Sequence, residues 1–205
     1  MKILNLEQGS PEWKAEKVGT LSGSNLKHIM GTKAAYEKFK NEIIAEKITG
    51  RREDIRNTDK MQRGTDEEQF TRTEYIKKTG IKIKEYGLCV SEEIEGLVVS
   101  PDGLEKGMKH AVEFKNPDTK KHIEYIREGT GIKDYKWQIV DYYIVITTLK
   151  TLDFVTYDSR IELDSLRMHI TKTTREDFKE DIEKAKAKII QFFKEVDEEI
   201  SKLTF

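Results

Sequence analysis

At Gly80 the hydrophobic period of this chain changes, and that change restricts the fold more than any other feature. Upstream, apolar residues recur at helical spacing; downstream, "IKIKEYGLCVS", "GLVVSPDG" and "HAVEFK" form short β-rich runs bounded by turn residues. The helical half divides at its own punctuation. "GSPEWKAEKVG" predicts a short helix with Ser10 as N-cap, Pro11 in its first turn and Gly19 as its stop. "SGSNLKHIMG" predicts a second, opened by Ser22 or Ser24 and closed by Gly31, and a third runs from about Lys33 to Thr49. "GRREDIRNTDK" reads as a basic, polar loop, followed by a longer helix from about Met61 to Thr79. The three β-rich runs read as successive strands of one sheet joined by tight turns. "KKHIEYIREG" and "DYKWQIVDYYIVITTL" then read as helices, and "LDFVTYD" and "LRMHITK" as two more strands. From Thr174 to about Leu203, Phe178, Ile182, Ala185, Ile189, Phe193, Val196 and Ile200 share one helical face. This order predicts an α/β fold with a central mixed β-sheet flanked by helices.

No repeat or Pro/Gly-rich linker interrupts the 205 residues, so the chain reads as a single domain, 1–205, long enough to bury a core. A net charge of −1 gives no global attraction to nucleic acid or membrane. The N-terminal sixty residues are net basic and the remainder net acidic, so a polyanion would be met near the N-terminal helices. Cys89, the single cysteine, excludes an internal disulfide, a cysteine-rich zinc site and a four-cysteine iron–sulfur cluster. It lies in the apolar "GLCVS", reads as a small buried hydrophobe, and fits a reducing, cytoplasmic setting. No apolar run suits a signal peptide or a bilayer span. His28, His110, His122 and His169 lack ligand spacing, and no glycine-rich phosphate loop or Ser-His-Asp order is present.

The chemistry concentrates in "SPDGLEKGMKHAVEFKNP", residues 100 to 117. A strand alternates its faces, so Glu113 and Lys115 point one way and Phe114 the other, while the turn returns Asp102 beside them. Charges on a buried sheet face are costly unless paired or used. Two carboxylates on adjacent strands suit a hard divalent cation such as magnesium, with the Phe114 carbonyl as a further ligand. Lys115 would then orient or deprotonate an attacking water, or neutralise charge on a phosphate. An ion pair bridging two strands would use the same residues.

The surrounding motifs decide between these readings. "SPDG" followed after an interval by "VEFK" resembles the PD-(D/E)XK nuclease signature. Together with "EQGSPEWKAEKVGTLSGSNL", "RGTDEEQFTRTEYIKKTG" and "YKWQIVDYY", in that order over about Glu7 to Ile146, the chain resembles the lambda-type phage recombination exonucleases. The resemblance implies a restriction-endonuclease-like nuclease core. It implies that Asp102 and Glu113 bind Mg2+ (with Mn2+ as a substitute), the Phe114 carbonyl is a third ligand, and Lys115 is the catalytic lysine. Glu68 matches a helix glutamate that reaches the metal directly or through water, with Asp66 and Glu67 as neighbours that another helix register would turn inward. Gln138 matches a glutamine that sets up the active site. Ser22 and Ser24 match a phosphate-meeting turn, and Lys17 stands where the family more often has arginine near a terminal phosphate. A point charge there replaces a bidentate fork. Trp13 and Trp137 read as core or groove packing. The activity implied is 5′-to-3′ digestion of one strand of double-stranded DNA from a free end, leaving 3′ single strand for recombination. A homotrimeric ring, a single-strand annealing recombinase as partner and the cytoplasm of a phage-infected or prophage-bearing bacterial cell follow from the same resemblance. Two rivals are a site- or structure-specific endonuclease on the same fold and a non-catalytic DNA-end-binding protein. The second gains nothing from carboxylates facing a phosphodiester backbone.

Overall fold

The N-terminal helices start and stop where side chains or backbone suit the ends. In the computed structural model, which describes residues 1–53 and 59–203, the chain begins with β1 (Lys2–Leu4), α1 (Pro11–Glu16), β2 (Leu21–Ser22), α2 (Gly23–Ile29), α3 (Lys33–Thr49) and α4 (Asp59–Thr79). Much of the expected "GRREDIRNTDK" loop lies outside the described residues. The Ser10 hydroxyl accepts a hydrogen bond from the Trp13 amide at 3.2 Å, and Thr32 accepts from Ala35 at 3.3 Å, so both helices carry a side-chain N-cap. α3 ends at Gly50, whose φ of 66° is left-handed. β1 and β2 have no counterpart among the strands expected from sequence.

The second half contains β3 (Ile83–Lys84), β4 (Leu88–Val90), β5 (Leu97–Val99), β6 (Gly103–Glu105) and β7 (His110–Lys115), then α5 (Thr119–Glu128), α6 (Gly131–Asp134) and α7 (Lys136–Val145). β8 (Thr151–Tyr157), α8 (Asp164–Arg167), β9 (Met168–Thr174), a 3-10 turn (Glu176–Phe178) and α9 (Lys179–Leu203) complete it. The strands make two mixed sheets, a four-stranded one ordered β1-β4-β5-β2 and a five-stranded one ordered β3-β6-β7-β8-β9. This corrects the single meander read from the three β-rich runs: those runs supply five strands, and within them the chain passes between sheets twice. One crossing lies at Gly87, where a Cβ would stand 2.1 Å from the Leu6 carbonyl oxygen, so only glycine admits the chain leaving β1. The other follows Val99, where Pro101 has no N–H with which to continue a ladder. The helix expected over "DYKWQIVDYYIVITTL" is also divided, because Tyr135 (φ −110°, ψ 15°) separates α6 from α7.

β7 occupies the middle of the five-stranded sheet, antiparallel to β6 and parallel to β8. A parallel neighbour requires a long crossover, supplied here by α5, α6 and α7. Strand alternation sorts the residues onto two cores. Ala111, Leu152 and Phe154 join a large cluster with residues of α2, α3, α7 and α9; Val112, Phe114, Val155 and Tyr157 join a second with Tyr75 of α4. Every α7 residue from Ile139 to Val145 is buried, as expected of a helix enclosed on all sides. Glu113 therefore points toward α7, and α4 covers the opposite face. The fold is mixed α/β with helices on both sides of the sheet, as its element order predicts.

Candidate active site

The site is assembled from the turn before β6, from β7, from α7 and from the middle of α4. Glu113 is only 1% exposed, yet its carboxylate is fully engaged. Its Oε1 accepts from the Lys115 ammonium and, at 2.5 Å, from the Gln138 amide; its Oε2 accepts from the Tyr142 hydroxyl at 2.5 Å. Gln138 and Tyr142 are four residues apart on α7, so one helical face presents both donors. Asp102 is tied to the neighbouring strand, its Oδ2 accepting from the Phe114 amide at 2.8 Å. Its own backbone is clasped on both sides. The Asp102 amide donates to Tyr142 Oη at 3.3 Å, and the Asp102 carbonyl accepts from Arg72 Nε at 3.0 Å.

These contacts set the electrostatics. Burial pushes the Asp102 carboxyl well above the usual carboxylate range, and the Glu113 charge beside it pushes the same way against the pull of Lys115. Burial works against the Lys115 ammonium, but Glu113 and Asp102 outweigh it, so its pKa is raised. Lys115 also lies 5.1 Å from the centre of the Tyr135 ring, a cation–π distance. As it stands, the lysine is a firmly held cation. Burial, together with Glu113, raises the Tyr142 hydroxyl, so it remains a donor.

The remaining candidates fall into two groups. Glu68 approaches the carboxylates closely enough for burial and the charges of Glu85 and Glu113 to raise it, but its Oε1 accepts from Arg72 at 2.8 Å. Glu67 faces elsewhere and accepts from Ser159 at 3.2 Å. Lys17, Ser22 and Ser24 lie on the N-terminal side. Ser22 is buried and makes no side-chain cap to α2, while Ser24 is exposed. Lys17 lies 4.0 Å over the Trp13 ring, whose indole N–H donates to Ser100 Oγ at 3.0 Å, two residues from Asp102. Gly23 lets α2 close on α7, since a Cβ there would stand 3.1 Å from both Gln138 Cγ and Asp141 Oδ2. His110 faces away from Glu113 and bonds to Tyr75 and Thr151 on the α4 side. Tyr142 and Arg72 went unread in the sequence. Each sits four residues after a residue that was read, Gln138 and Glu68, and that spacing was the available signal.

The donor set suits a hard divalent cation. Among the described residues no three His, Cys, Asp or Glu groups form a cage. Ligation would rest on Asp102, Glu113, the Phe114 carbonyl and water, and magnesium characteristically retains several waters.

A mixed sheet whose central strand carries a carboxylate and a lysine, opposite a turn aspartate, defines a restriction-endonuclease-like α/β core. The chain belongs to the YqaJ-like viral recombinase domain family, whose model matches residues 12–150. It is similar to the alkaline exonuclease LHK-Exo from Laribacter hongkongensis, at 32% identity and a TM-score of 0.86, covering 95% of this chain and 96% of that one. The structure of LHK-Exo in complex with dAMP matches equally well, with the same identity and coverage. A phage-related exonuclease from Haemophilus somnus 129PT shares the fold at a TM-score of 0.67 and 14% identity, over 90% of this chain and 96% of that chain. No curated protein matches the chain. Among the described residues no helix is long and apolar enough to cross a membrane.

Proposed function

We propose that the protein is a magnesium-dependent nuclease that digests one strand of double-stranded DNA from a free 5′ end, leaving 3′ single strand. The observation that carries the reading is the convergence of Lys115, Gln138 and Tyr142 on the buried Glu113 carboxylate, with Asp102 tied to the neighbouring Phe114 amide, in a chain 32% identical to an alkaline exonuclease. That relative was determined with dAMP, a mononucleotide of the kind exonucleolytic cutting releases.

Asp102, Glu113 and the Phe114 carbonyl would hold the metal, with Glu68 reaching it through water. When bound, the cation supplies Lewis acidity and a more acidic water for attack at phosphorus. The protein's own groups do the positioning. Gln138 and Tyr142 fix the Glu113 carboxylate, and the Phe114 amide fixes that of Asp102. Arg72 steadies the Asp102 carbonyl while balancing the charge of Glu68. Lys115 offsets charge that develops on the phosphate in the transition state. Lys17, Ser22 and Ser24 line the approach for a DNA phosphate. Residues 1–205 act as one nuclease domain in this reading, in the bacterial cytoplasm, as a ring of three subunits that hands its 3′ strand to a single-strand annealing recombinase.

Incubating linear and covalently closed duplex DNA with the protein, with magnesium and with chelator, tests the reading. Linear DNA should disappear only with metal, and circles should survive. Discrete bands from closed circles would replace it with endonuclease action.

A further inference from the structure

β7 ends at Lys115, and the residue after it is fastened to α4 in two places. The Asn116 side-chain amide donates to Thr71 Oγ1 at 2.8 Å, and the Asn116 carbonyl accepts from Arg63 Nη2 at 2.8 Å. The same amide reaches the Tyr157 carbonyl, at the end of β8, at 3.5 Å. Thr71 is 0% exposed, and its hydroxyl hydrogen is already given to the Glu67 carbonyl at 2.9 Å, so toward Asn116 it can only accept. Arg63 and Thr71 are separated by a rise of ~12 Å along α4, so a single residue bridges about two turns of the helix.

The end of the strand needs such a clasp. The β7–β8 ladder runs from the His110–Thr151 pair to the Lys115–Thr156 pair and stops. Pro117 has no N–H with which to carry it further. Strand ends without ladder partners fray, and here the end is Lys115. Its ammonium is a point charge on a flexible four-carbon stem, so its place beside Glu113 follows the backbone that carries it. α4 supplies the missing hold. Thr71 and Arg63 fix Asn116, while Arg72, next to Thr71, donates to the Asp102 carbonyl and to Glu68. One helix thus steadies both the lysine end of β7 and the aspartate turn. A separate anchor lies one turn further along α4, where Tyr75 Oη donates to Asp153 Oδ2 at 2.8 Å and meets His110 Nε2, at the other end of β7, at 3.0 Å.

We propose that Asn116 is the positioning residue for Lys115: by bridging Thr71 and Arg63 it holds the last residue of β7 where the lysine can serve phosphodiester cleavage beside Glu113. This rests on the nuclease reading above. Asn116 acts through the lysine and not on the DNA, so its effect belongs to the chemical step.

The test is a double-mutant cycle with Lys115, read by single-turnover cleavage of linear duplex DNA in saturating magnesium. Asn116→Ala should slow the chemical step roughly tenfold or more, while DNA affinity, measured by fluorescence anisotropy in chelator, stays at the parent's value. In the Lys115→Ala background the same change should slow cutting by less than about twofold, because the group it positions is gone. Thr71→Val deletes the acceptor and should reproduce the loss, whereas Thr71→Ser keeps the hydroxyl and should retain most of the rate. Thermal unfolding accompanies each variant, and Thr71→Val carries the cycle if Asn116→Ala melts early. Tyr75→Phe loosens the other α4 anchor and should lower the melting temperature with little effect on rate. Equal slowing by Asn116→Ala with and without Lys115 would overturn the proposal, as would Tyr75→Phe slowing cleavage as much as Asn116→Ala does. Hydrogen exchange reads the clasp without cleavage: the Lys115 amide should exchange faster in Asn116→Ala, while that of Val112 keeps the parent's protection. Unchanged exchange at Lys115 would also overturn the proposal. If the parent cuts no DNA, the nuclease reading fails, and exchange alone decides whether Asn116 holds the strand end.

Discussion

Replacing Tyr142 by phenylalanine deletes one oxygen from a fully buried ring and strips Glu113 of its donor at Oε2. The same oxygen accepts from the Asp102 amide at 3.3 Å, so one deletion loosens both carboxylate segments. No water-filled space need form, because the ring remains. The cost is that of a hydrogen bond to a charged group, about 1.5–3 kcal/mol, with the buried carboxylate left short of a donor. For a chain of this length each kcal/mol shifts the melting temperature by about 2–4 °C, so Tyr142→Phe should melt roughly 3–12 °C lower. Cleavage should slow by about 10- to 100-fold, since displacing a reacting group by an ångström costs up to ~10²-fold. A double-mutant cycle with Glu113→Gln, read by calorimetric unfolding in chelator, isolates the pair. In the glutamine background the Tyr142 hydroxyl meets a neutral amide, and its removal should cost about half as much. Additivity of the two substitutions to within ~0.5 kcal/mol would refute the reasoning.

Asp102→Ala and Glu113→Ala should each abolish cleavage while the fold and DNA binding persist; substantial activity of Glu113→Ala in excess magnesium would remove Glu113 from the metal site. Lys115→Ala should cut on the order of 10²-fold more slowly yet bind magnesium about as well as the parent, by calorimetric titration beside single-turnover cleavage. Lys115→Arg should also be impaired, because a longer, planar cation replaces a point charge beside Glu113. A loss of metal affinity in step with rate would make Lys115 a merely structural cation. Asp141 gives a pH test. Burial raises its pKa, so the folded chain binds more protons than the unfolded one above pH ~4, and its contribution to stability falls as pH rises from there toward the folded value. Asp141→Asn has no such slope, and its stability relative to the parent should improve between pH 4.5 and 7.5; a constant difference would show that the carboxyl is not held neutral.

The helices were legible wherever local chemistry marks both ends. α3 runs from Lys33 to Thr49 as its flanking Thr32 and Gly50 require. α9 starts later than its apolar spacing indicates, because Glu176–Phe178 form a tighter 3-10 turn first. The alternation of "HAVEFK" placed Glu113 and Lys115 on one face, since a period of two survives in a strand buried on both sides. The partition into two sheets was not legible. Strands of two or three residues carry too little pattern to name their partners, and β2 pairs with β5 across more than seventy residues of chain. Tyr142 was hidden by its surroundings: on a helix buried all round, a tyrosine that grips a carboxylate looks like any other core aromatic. Arg52 lay in a basic run whose plainest reading is a solvated loop, and only the fold brings it to Glu46 and the Thr20 carbonyl.

The central position of β7 has a consequence for how the protein breathes. All six of its residues pair with β8, and both faces lie under packed side chains. Exposing Glu113 by local fraying would mean parting the middle of the sheet, an opening close in cost to global unfolding. Backbone amides of Val112 to Lys115 should therefore be among the last in the chain to exchange with solvent deuterium. The paired carboxylate and lysine would thus be held in the least deformable part of the molecule.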